Sequence, residues 1–465
     1  MSIIPKQNYS EQTSILSVAN FLKQYKLGSI LRCNGAYKLR GIPVVALVNY
    51  LVALIYTGKS MFEDMRSANP LARGFGKDAV YRFMSRASIN WRGILLSLAH
   101  QVIDNIDKLT SDNRQSAFVI DDTLYHVPYA RKTELVSRVF DHSGNDANKF
   151  KWGFRLLTLC WTDGVSLIPL AFRHMASAKE QNQRCGMHTS LDKRSRAYRN
   201  RSEALSKATD VVIVLLKSAI CAGTSARHVL FDTWFAYPAT IIKIRSLRLH
   251  VTARVKDTTK IKYVLGDEAK TAREIYKANR KRRGRSRYLL SVPVILLNEK
   301  SQVNAKLVYV RNRNKRKDWI AIVTTDLSLT EEEVIALYGK RWDIEVFFKI
   351  CKSYLKLSDE FHQLSYDALT AHTTIVMIRY IILSLEKRKQ EDPRSIGELY
   401  YNIFDEMADI RYEHAIMLLL ELLKKILSND LLGLPEEQVE QIMDRFLQNL
   451  PPFLRKSLCR SSDAV

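Results

Sequence analysis

The spacing of apolar residues changes twice along this chain of 465 residues. Through the first 110 residues apolar positions recur at helical intervals, which predicts helices at 11–25, 44–56, 77–85 and 91–109. Basic residues are interleaved with tyrosine and tryptophan in this part, and no helix-turn-helix consensus stands out. Residues 1–110 are therefore predicted to be helical, and both a DNA-binding domain and a basic helical cap are compatible with the pattern.

From residue 115 short apolar runs replace the helical spacing. Runs at 117–120, 228–231 and 250–255 predict strands, and those at 149–161 and 165–173 predict a hairpin about Thr162-Asp163-Gly164. A polar, basic stretch at 176–202 is expected to be a mobile loop leading into a helix start, and 204–221 to be a helix. This order of strands and helix predicts an α/β layer over residues 111–255.

A second group of strands is predicted at 288–297, 305–309 and 319–325, which indicates a β-rich domain over residues 256–327. The basic runs 279–287 and 311–317 separate these strands, and we expect them to be loops that contact phosphate rather than read sequence. Helical spacing returns at 366–385, 395–408, 412–427 and 435–447. Residues 328–390 are therefore assigned to the end of the α/β layer and 391–465 to a helical C-terminal region.

One long helix is predicted at 329–357, where Thr330 and Glu333 form a capping box. Gly339 inside it suggests that another group approaches the backbone closely. The helix is apolar on most sides but carries a polar stripe within about 60° of its circumference. The stripe consists of Tyr338, Arg341, Glu345 and Lys352. The alternative is a solvated face with an Arg341–Glu345 ion pair, which the surrounding aromatic bulk disfavours.

The formal charge of +24 and the pI near 9.7 point to a polyanionic partner. Nucleic acid is the simplest such partner and acidic lipid the competing one. However, no run of 18 uninterrupted apolar residues predicts a membrane span, and the first residues do not form a secretory signal. The six cysteines have no paired spacing. This argues against a zinc site and favours a reducing cytoplasm.

Carboxylates follow two of the apolar runs directly. Asp121 and Asp122 follow the first and Asp232 follows the second, so both positions are expected at one edge of the sheet. The helix can place Glu345 against that edge. Each strand-end aspartate alone is more often a turn or capping residue, but together these positions suit two Mg²⁺ ions acting on a phosphodiester.

Three stretches resemble one known family. Residues 338–345 read YGKRWDIE and are followed by Lys352, which matches the Tyr-two-Arg-three-Glu-six-Lys signature of bacterial insertion-sequence transposases of the IS-four family. FVIDDT and HVLFDTW resemble the family around its first two carboxylates. The resemblance covers about residues 115–390. It implies a ribonuclease-H-like core with a β-rich insertion domain, a DDE triad, two Mg²⁺ or Mn²⁺ ions and cut-and-paste movement of DNA.

The resemblance also implies roles for single residues. Asp232 and Glu345 become catalytic metal ligands, and Tyr338, Arg341 and Lys352 bind DNA phosphates. The first ligand is Asp121 or Asp122, and the pattern of Asp, any residue, then Thr or Ser favours Asp121. Trp319 resembles a tryptophan that stacks on a flipped base, although packing inside the insertion domain is the equal alternative.

These observations predict a DNA transposase that cuts element ends by water attack and joins them by 3′-hydroxyl attack. A stand-alone nuclease with the same core and a non-catalytic DNA-binding relative are the rival hypotheses. We expect double-stranded DNA as the partner, a homodimer on that DNA, no membrane association, and a cytoplasmic location on the nucleoid.

Overall fold

A mixed sheet extends through the middle of the chain in the computed structural model. The structure describes residues 21–57, 60–66, 74–108, 115–141, 149–188, 190–279, 288–299, 301–311, 318–361, 364–389, 423, 427 and 435–449. The chain divides into a unit of Glu11–Glu391 and a second unit of Met1–Ser10 with Asp392–Val465. The second unit is described mainly by one helix, and every contact reported below lies in the first unit.

Eleven strands are found in the described ranges. They are β1 (Ala117–His126), β2 (Ser137–Phe140), β3 (Phe150–Thr162), β4 (Leu167–Met175), β5 (His228–Phe231), β6 (His250–Arg254), β7 (Tyr263–Leu265), β8 (Glu268–Lys270), β9 (Tyr288–Asn298), β10 (Ser301–Arg311) and β11 (Trp319–Thr324). Their order across the sheet is β2-β3-β1-β5-β6-β11-β10-β9-β7-β8, and β4 also pairs with β3.

Thirteen α-helices are found in the described ranges, twelve of them in the first unit and α13 in the second. They are α1 (Leu27–Cys33), α2 (Val44–Ala53), α3 (Met61–Arg66), α4 (Lys77–Met84), α5 (Trp91–Lys108), α6 (Arg196–Ala204), α7 (Ala208–Cys221), α8 (Pro238–Arg245), α9 (Ala272–Asn279), α10 (Glu331–Gly339), α11 (Trp342–Ser353), α12 (Tyr366–Lys389) and α13 (Glu436–Asn449). The predicted helix at 395–408 lies outside the described residues, as do most of those at 11–25 and 412–427.

The predicted hairpin and the mixed α/β class are confirmed. β3 pairs antiparallel with β4, and Gly164 in the turn has φ +91°, a conformation that glycine adopts without strain. β1 pairs in parallel with β5, and β5 pairs in parallel with β6. Every residue of 117–120 and 228–231 is buried, which means that both faces of the sheet are covered there.

The first predicted strand is too short. β1 continues for six residues beyond Ile120, so Asp121 and Asp122 lie within the strand and not at its end. Parallel pairing with β5 stops at Ile120, which is opposite Phe231, whereas antiparallel pairing with β3 continues to His126. The polar half of β1 is therefore held by one neighbour and leaves its other edge open beside the end of β5.

The strands of 256–327 extend the same sheet. β11 pairs antiparallel with β6, and β10 and β9 follow outward from it. Strands β9, β10 and β11 match the predicted positions, whereas β7, β8 and α9 were not predicted. The two basic runs lie almost entirely outside the described residues. The boundaries of a separate insertion domain remain a prediction.

The long helix predicted at 329–357 is wrong as a single element. The capping box of Thr330 and Glu333 is present, but α10 ends at Gly339 and α11 begins at Trp342. Between them the amides of Lys340 and Arg341 donate to carbonyls three residues earlier, so the chain tightens into a 3₁₀ turn. A side chain placed on Gly339 would meet no described atom within 4 Å, so the expected close approach is also absent there.

Helix α12 is apolar and long enough at Tyr366–Leu385 to span a bilayer, although no such span was predicted. However, 83% of its apolar window is buried inside the protein, as in a core helix.

A buried ion pair connects helix α12 with Glu360. Arg379 donates to both carboxylate oxygens of Glu360, at 2.7 and 2.9 Å, and its Nε donates to the Val52 carbonyl oxygen at 3.2 Å. His372 lies 3.4 Å from the same carboxylate.

Candidate active site

The polar half of β1 presents Asp121 and Thr123 on one face of the sheet, because alternate residues of a strand share a face. Helix α11 lies against that face. Arg341, just before α11, contacts Asp121, and Lys352 near its end contacts Thr123. Two contacts, one at each end of helix α11, therefore hold the helix against the strand.

Arg341 connects two of the predicted carboxylates. Its Nη1 donates to Asp121 Oδ2 at 3.1 Å and its Nη2 donates to Glu345 Oε1 at 2.5 Å. The guanidinium is 7% exposed, whereas the Glu345 side chain is 40% exposed. The Arg341–Glu345 ion pair considered above as an alternative is therefore present, but it lies at the strand face and not on a solvated surface.

The Asp121 carboxylate is in an unusual electrostatic environment. Burial raises its pKa to about 7, and the neighbouring carboxylates of Asp122 and Asp232 act in the same direction. The Arg341 guanidinium and the backbone amide of Asp122, which donates to Oδ1 at 2.8 Å, oppose this rise. Negative groups are thus brought close enough together to repel one another.

Asp232 lies one residue beyond β5, beside the open edge of β1. Its carboxylate acts electrostatically on both Asp121 and Tyr338. Its Oδ1 atom is buried and has no hydrogen-bond partner among the described residues. A buried carboxylate oxygen without a partner carries a desolvation cost, so this atom is ready to accept a ligand.

Asp122 points to the opposite face of the sheet from Asp121. Arg155 on β3 pairs with it through two nitrogens, and the Nε donates to Asp122 Oδ2 at 2.9 Å. The two adjacent aspartates therefore have different environments. Asp121 faces the helix that carries Arg341 and Glu345, whereas Asp122 is held in an ion pair on the other side.

The remaining residues of the stripe also lie near this face. Burial raises the pKa of Tyr338, and the Asp232 carboxylate contributes to the rise. The guanidinium carbon of Arg341 lies 5.7 Å from the Tyr338 ring centroid. Lys352 Nζ donates to Thr123 Oγ1 at 2.7 Å. The structure therefore brings all four stripe residues to the part of the sheet that holds Asp121 and Asp232.

Trp319 occupies a different setting at the start of β11. Its ring packs against Tyr276 at 5.2 Å and Tyr309 at 5.0 Å between centroids, and it is partly buried. Tyr309 is itself fully buried and donates to the Ala272 carbonyl oxygen at 2.7 Å. This cluster favours the packing alternative for Trp319, and the base-stacking role remains a prediction without a contact to support it.

Replacing Trp319 tests the packing interpretation. We expect Trp319→Ala to lower the free energy of unfolding by about 3 kcal/mol, because it removes one ring of a three-ring cluster. Trp319→Phe should recover most of the loss. Urea unfolding measures both variants. A Trp319→Ala protein with unchanged stability and a selective defect in a late step on DNA would instead support base stacking.

The donor set suits a hard divalent cation. Asp121, Asp232 and Glu345 offer only oxygen ligands, and the buried Oδ1 of Asp232 awaits a partner. Within the described ranges, no three histidine, cysteine or acidic side chains lie close enough together to hold one metal ion. The three predicted ligands are therefore farther apart here than a shared ion would require. The Arg341 guanidinium lies between Asp121 and Glu345 and supplies positive charge there.

Two residues important to this geometry were not identified from the sequence. Thr123 accepts a hydrogen bond from Lys352, and Arg155 forms an ion pair with Asp122. A signal for Arg155 was available, because a lone arginine in the apolar strand 149–161 must find a buried partner or reach solvent. Thr123 carried no comparable signal.

Clustered carboxylates beside arginine and lysine are typical of enzymes that act on phosphate esters. The comparison with protein families agrees with this class. A family model described as DDE superfamily endonuclease matches residues 45–319, more than half of the chain. The chain therefore belongs to the DDE superfamily endonucleases. The match includes Asp121 and Asp232 and ends before Glu345. No curated protein sequence matches the chain.

Proposed function

We propose that this chain is a DNA transposase of the insertion-sequence type, similar to the IS-four family, that cuts and joins the ends of a DNA element. The observation that carries this proposal is the Arg341 bridge between Asp121 and Glu345. It joins helix α11 to the strand that carries the first carboxylate and so brings two members of the proposed DDE triad to the same face of the sheet. Membership of an endonuclease family supports DNA as the substrate.

The sheet order supports a ribonuclease-H-like core. Strands β4-β3-β1-β5-β6 place three strands in parallel at one side of an antiparallel pair. The two aspartates then come from neighbouring central strands and the glutamate from a helix packed on them. The β7–β11 strands enter between the second and third carboxylates, which is where the resemblance places an insertion.

In this proposal Asp121, Asp232 and Glu345 hold Mg²⁺, with Mn²⁺ as a substitute. A divalent cation there supplies charge for the phosphate oxygens and lowers the pKa of the attacking hydroxyl. Arg341 and Lys352 bind phosphate oxygens on either side of the scissile bond, and Tyr338 orients Arg341. Asp122 stays paired with Arg155 and holds the strand at the correct twist and position.

Cleavage and joining of DNA by the purified chain test this function. The substrate is a fragment with the inverted repeats that flank the gene, incubated with Mg²⁺ and a target plasmid. A transposase releases the fragment ends and joins them to the plasmid. Ends that are cut but never joined would support the stand-alone nuclease, and binding without cutting would support the non-catalytic relative.

A further inference from the structure

The hairpin of β2 and β3 carries aromatic and basic side chains on one exposed face. Arg138 is directly opposite Trp152, and Phe140 is directly opposite Phe150, so all four project to the same side. The rings of Phe140 and Phe150 meet edge to face at 5.5 Å. They are 37% and 48% exposed, which is high for phenylalanine in a sheet.

The two aromatic residues at the start of β3, Phe150 and Trp152, each pack against an arginine. The guanidinium carbon of Arg138 lies 5.5 Å from the centroid of Phe150, and that of Arg184 lies 4.0 Å from the centroid of Trp152. Arg184 also donates to the carbonyl oxygens of Pro128 and Ala130, at 3.2 and 3.0 Å. These hydrogen bonds hold the guanidinium group of Arg184 in place before any ligand binds. We call the five side chains Arg138, Phe140, Phe150, Trp152 and Arg184 the arginine–aromatic shelf.

The shelf lies on the same face of the sheet as Asp121. Thr158 on β3 is directly opposite Asp121, and the pairing continues without a bulge to Gly153. Because every second residue of a strand lies on the same face, Trp152 and Phe150 lie on the face that carries Thr158 and Asp121. At about 3.3 Å per residue, Trp152 is roughly 20 Å from Thr158 along the strand.

Lys352 connects the candidate active site with the shelf. Its ammonium binds Thr123 on the Asp121 face, and Asp141, which follows Phe140, lies within electrostatic range of the same ammonium. Phe154 and Leu156, which lie between Thr158 and Trp152 on this face of β3, are fully buried. A strand bound at the carboxylates would therefore pass the exposed Lys352 to reach the shelf rather than run across β3.

We propose that the arginine–aromatic shelf binds an unpaired DNA strand that leaves the cut site. This proposal rests on the proposed function, because it assigns the shelf to the same DNA. Exposed rings stack on unpaired bases, and arginine heads pair with the phosphates between them. Bases inside an intact duplex are already stacked and gain little from the rings. The arginines and the +24 charge favour an anionic strand over a neutral or basic partner.

Equilibrium binding to short oligonucleotides tests the shelf. The full-length chain is titrated without divalent metal into a fluorescent thymine oligonucleotide of about 12 nucleotides. An abasic strand of equal length and a duplex are measured in parallel. We expect Phe150→Leu and Trp152→Leu each to weaken binding of the thymine strand about tenfold and binding of the abasic strand and the duplex less than about twofold.

Matched variants control for a general effect of the substitutions. Trp152→Phe keeps a ring at the shelf and should bind the thymine strand within about threefold of the parent. Phe446→Leu removes a ring of similar exposure, 44%, from helix α13 and should change none of the three affinities. Circular dichroism checks that each variant is folded, and Phe140→Leu, which removes another ring of the shelf, replaces Trp152→Leu if that variant does not fold.

The outcomes separate this proposal from the function itself. Leucine variants that bind the thymine strand as the parent does, in a chain that still cuts DNA with Mg²⁺, would overturn the shelf alone. An equal loss for thymine and abasic strands would also overturn it, because the bases would then contribute nothing. Base-dependent binding in a chain that never cuts DNA would uphold the shelf and overturn the proposed function.

Discussion

Asp232→Asn and Glu345→Gln should each reduce Mg²⁺-dependent DNA cleavage by about 1,000-fold or more while DNA binding persists. Removing one member of a catalytic set has effects of this order. Neither substitution changes the size of the side chain, and neither residue supports the core. Asp232 has an unpartnered buried oxygen and Glu345 is partly exposed, so the fold does not depend on their charges.

The two adjacent aspartates provide a matched pair for the same assay. Asp121→Asn should lose cleavage as Asp232→Asn does, because Asp121 faces Arg341 and Glu345. Asp122→Asn should keep cleavage within about tenfold, since asparagine still accepts a hydrogen bond from Arg155. Nicking of supercoiled plasmid measures all four variants, and binding is measured without metal.

Two results would contradict this assignment. Full cleavage by Asp121→Asn with none by Asp122→Asn would move the first metal ligand to Asp122. Loss of DNA binding together with cleavage in Asp232→Asn or Glu345→Gln would show that these residues are structural.

Arg379→Met should lower the free energy of unfolding by about 3–5 kcal/mol. Arg379 and Glu360 are both buried, and removing one partner leaves the other as an uncompensated charge. Arg379 also caps carbonyl oxygens of Leu51 and Val52, so helix α2 loses contacts with α12. Urea unfolding at neutral pH, followed by tryptophan fluorescence, measures the loss.

A second arginine of the same helix is the control. Arg388 donates to Asp163 and Ser166, but it is 17% exposed, and Asp163 also accepts two backbone amides. Arg388→Met should therefore cost about 1 kcal/mol. An Arg379→Met protein as stable as the parent, or one no less stable than Arg388→Met, would show that the buried pair is not a main contributor to stability.

The effect of Arg379→Met should also depend on pH. Burial acts to raise the pKa of Glu360, but Arg379 and His372 hold it at about 2, below the value of 4.5 for an ordinary glutamate. Because the pKa of Glu360 is lower in the folded protein than in the unfolded chain, its ionised carboxylate adds to the free energy of unfolding. This contribution is fully present above pH 4.5 and is lost as the pH falls towards 2. The difference between the parent and Arg379→Met should hence narrow by about 1.4 kcal/mol per pH unit below 4.5. A constant difference down to pH 3 would exclude this linkage.

Local spacing predicted those features that depend on a few neighbouring residues. The capping box at Thr330 and the hairpin about Gly164 are both present. The Arg341–Glu345 ion pair, which the sequence disfavoured, is present as well. The length of β1 was not predictable in this way, because residues 121–126 are mostly polar and become a strand through pairing with β3. Tertiary pairing overrides the apolar pattern there.

The candidate site shows the same division. Helical geometry predicted the polar stripe of Tyr338, Arg341, Glu345 and Lys352, although the single helix that it assumed is interrupted before Trp342. The strand expected to face the stripe, β1, does contact Arg341 and Lys352. The choice of Asp121 over Asp122 could not be derived from the apolar pattern, since it depends on Arg155 reaching the opposite face. The 3₁₀ turn at Lys340 also gave no sequence signal beyond Gly339.

The contact between Asp121 and Arg341 joins residues that are 220 positions apart. Loops of that length close slowly, and long-range pairing delays folding. β1 pairs with β5 through Ala117–Ile120, and the chain must also complete β9, β10 and β11 before Arg341 can reach Asp121. Synthesis from the ribosome follows the same order. The candidate site is therefore completed only after every described strand has been synthesised, and a nascent chain should have no cleavage activity until helix α11 has emerged.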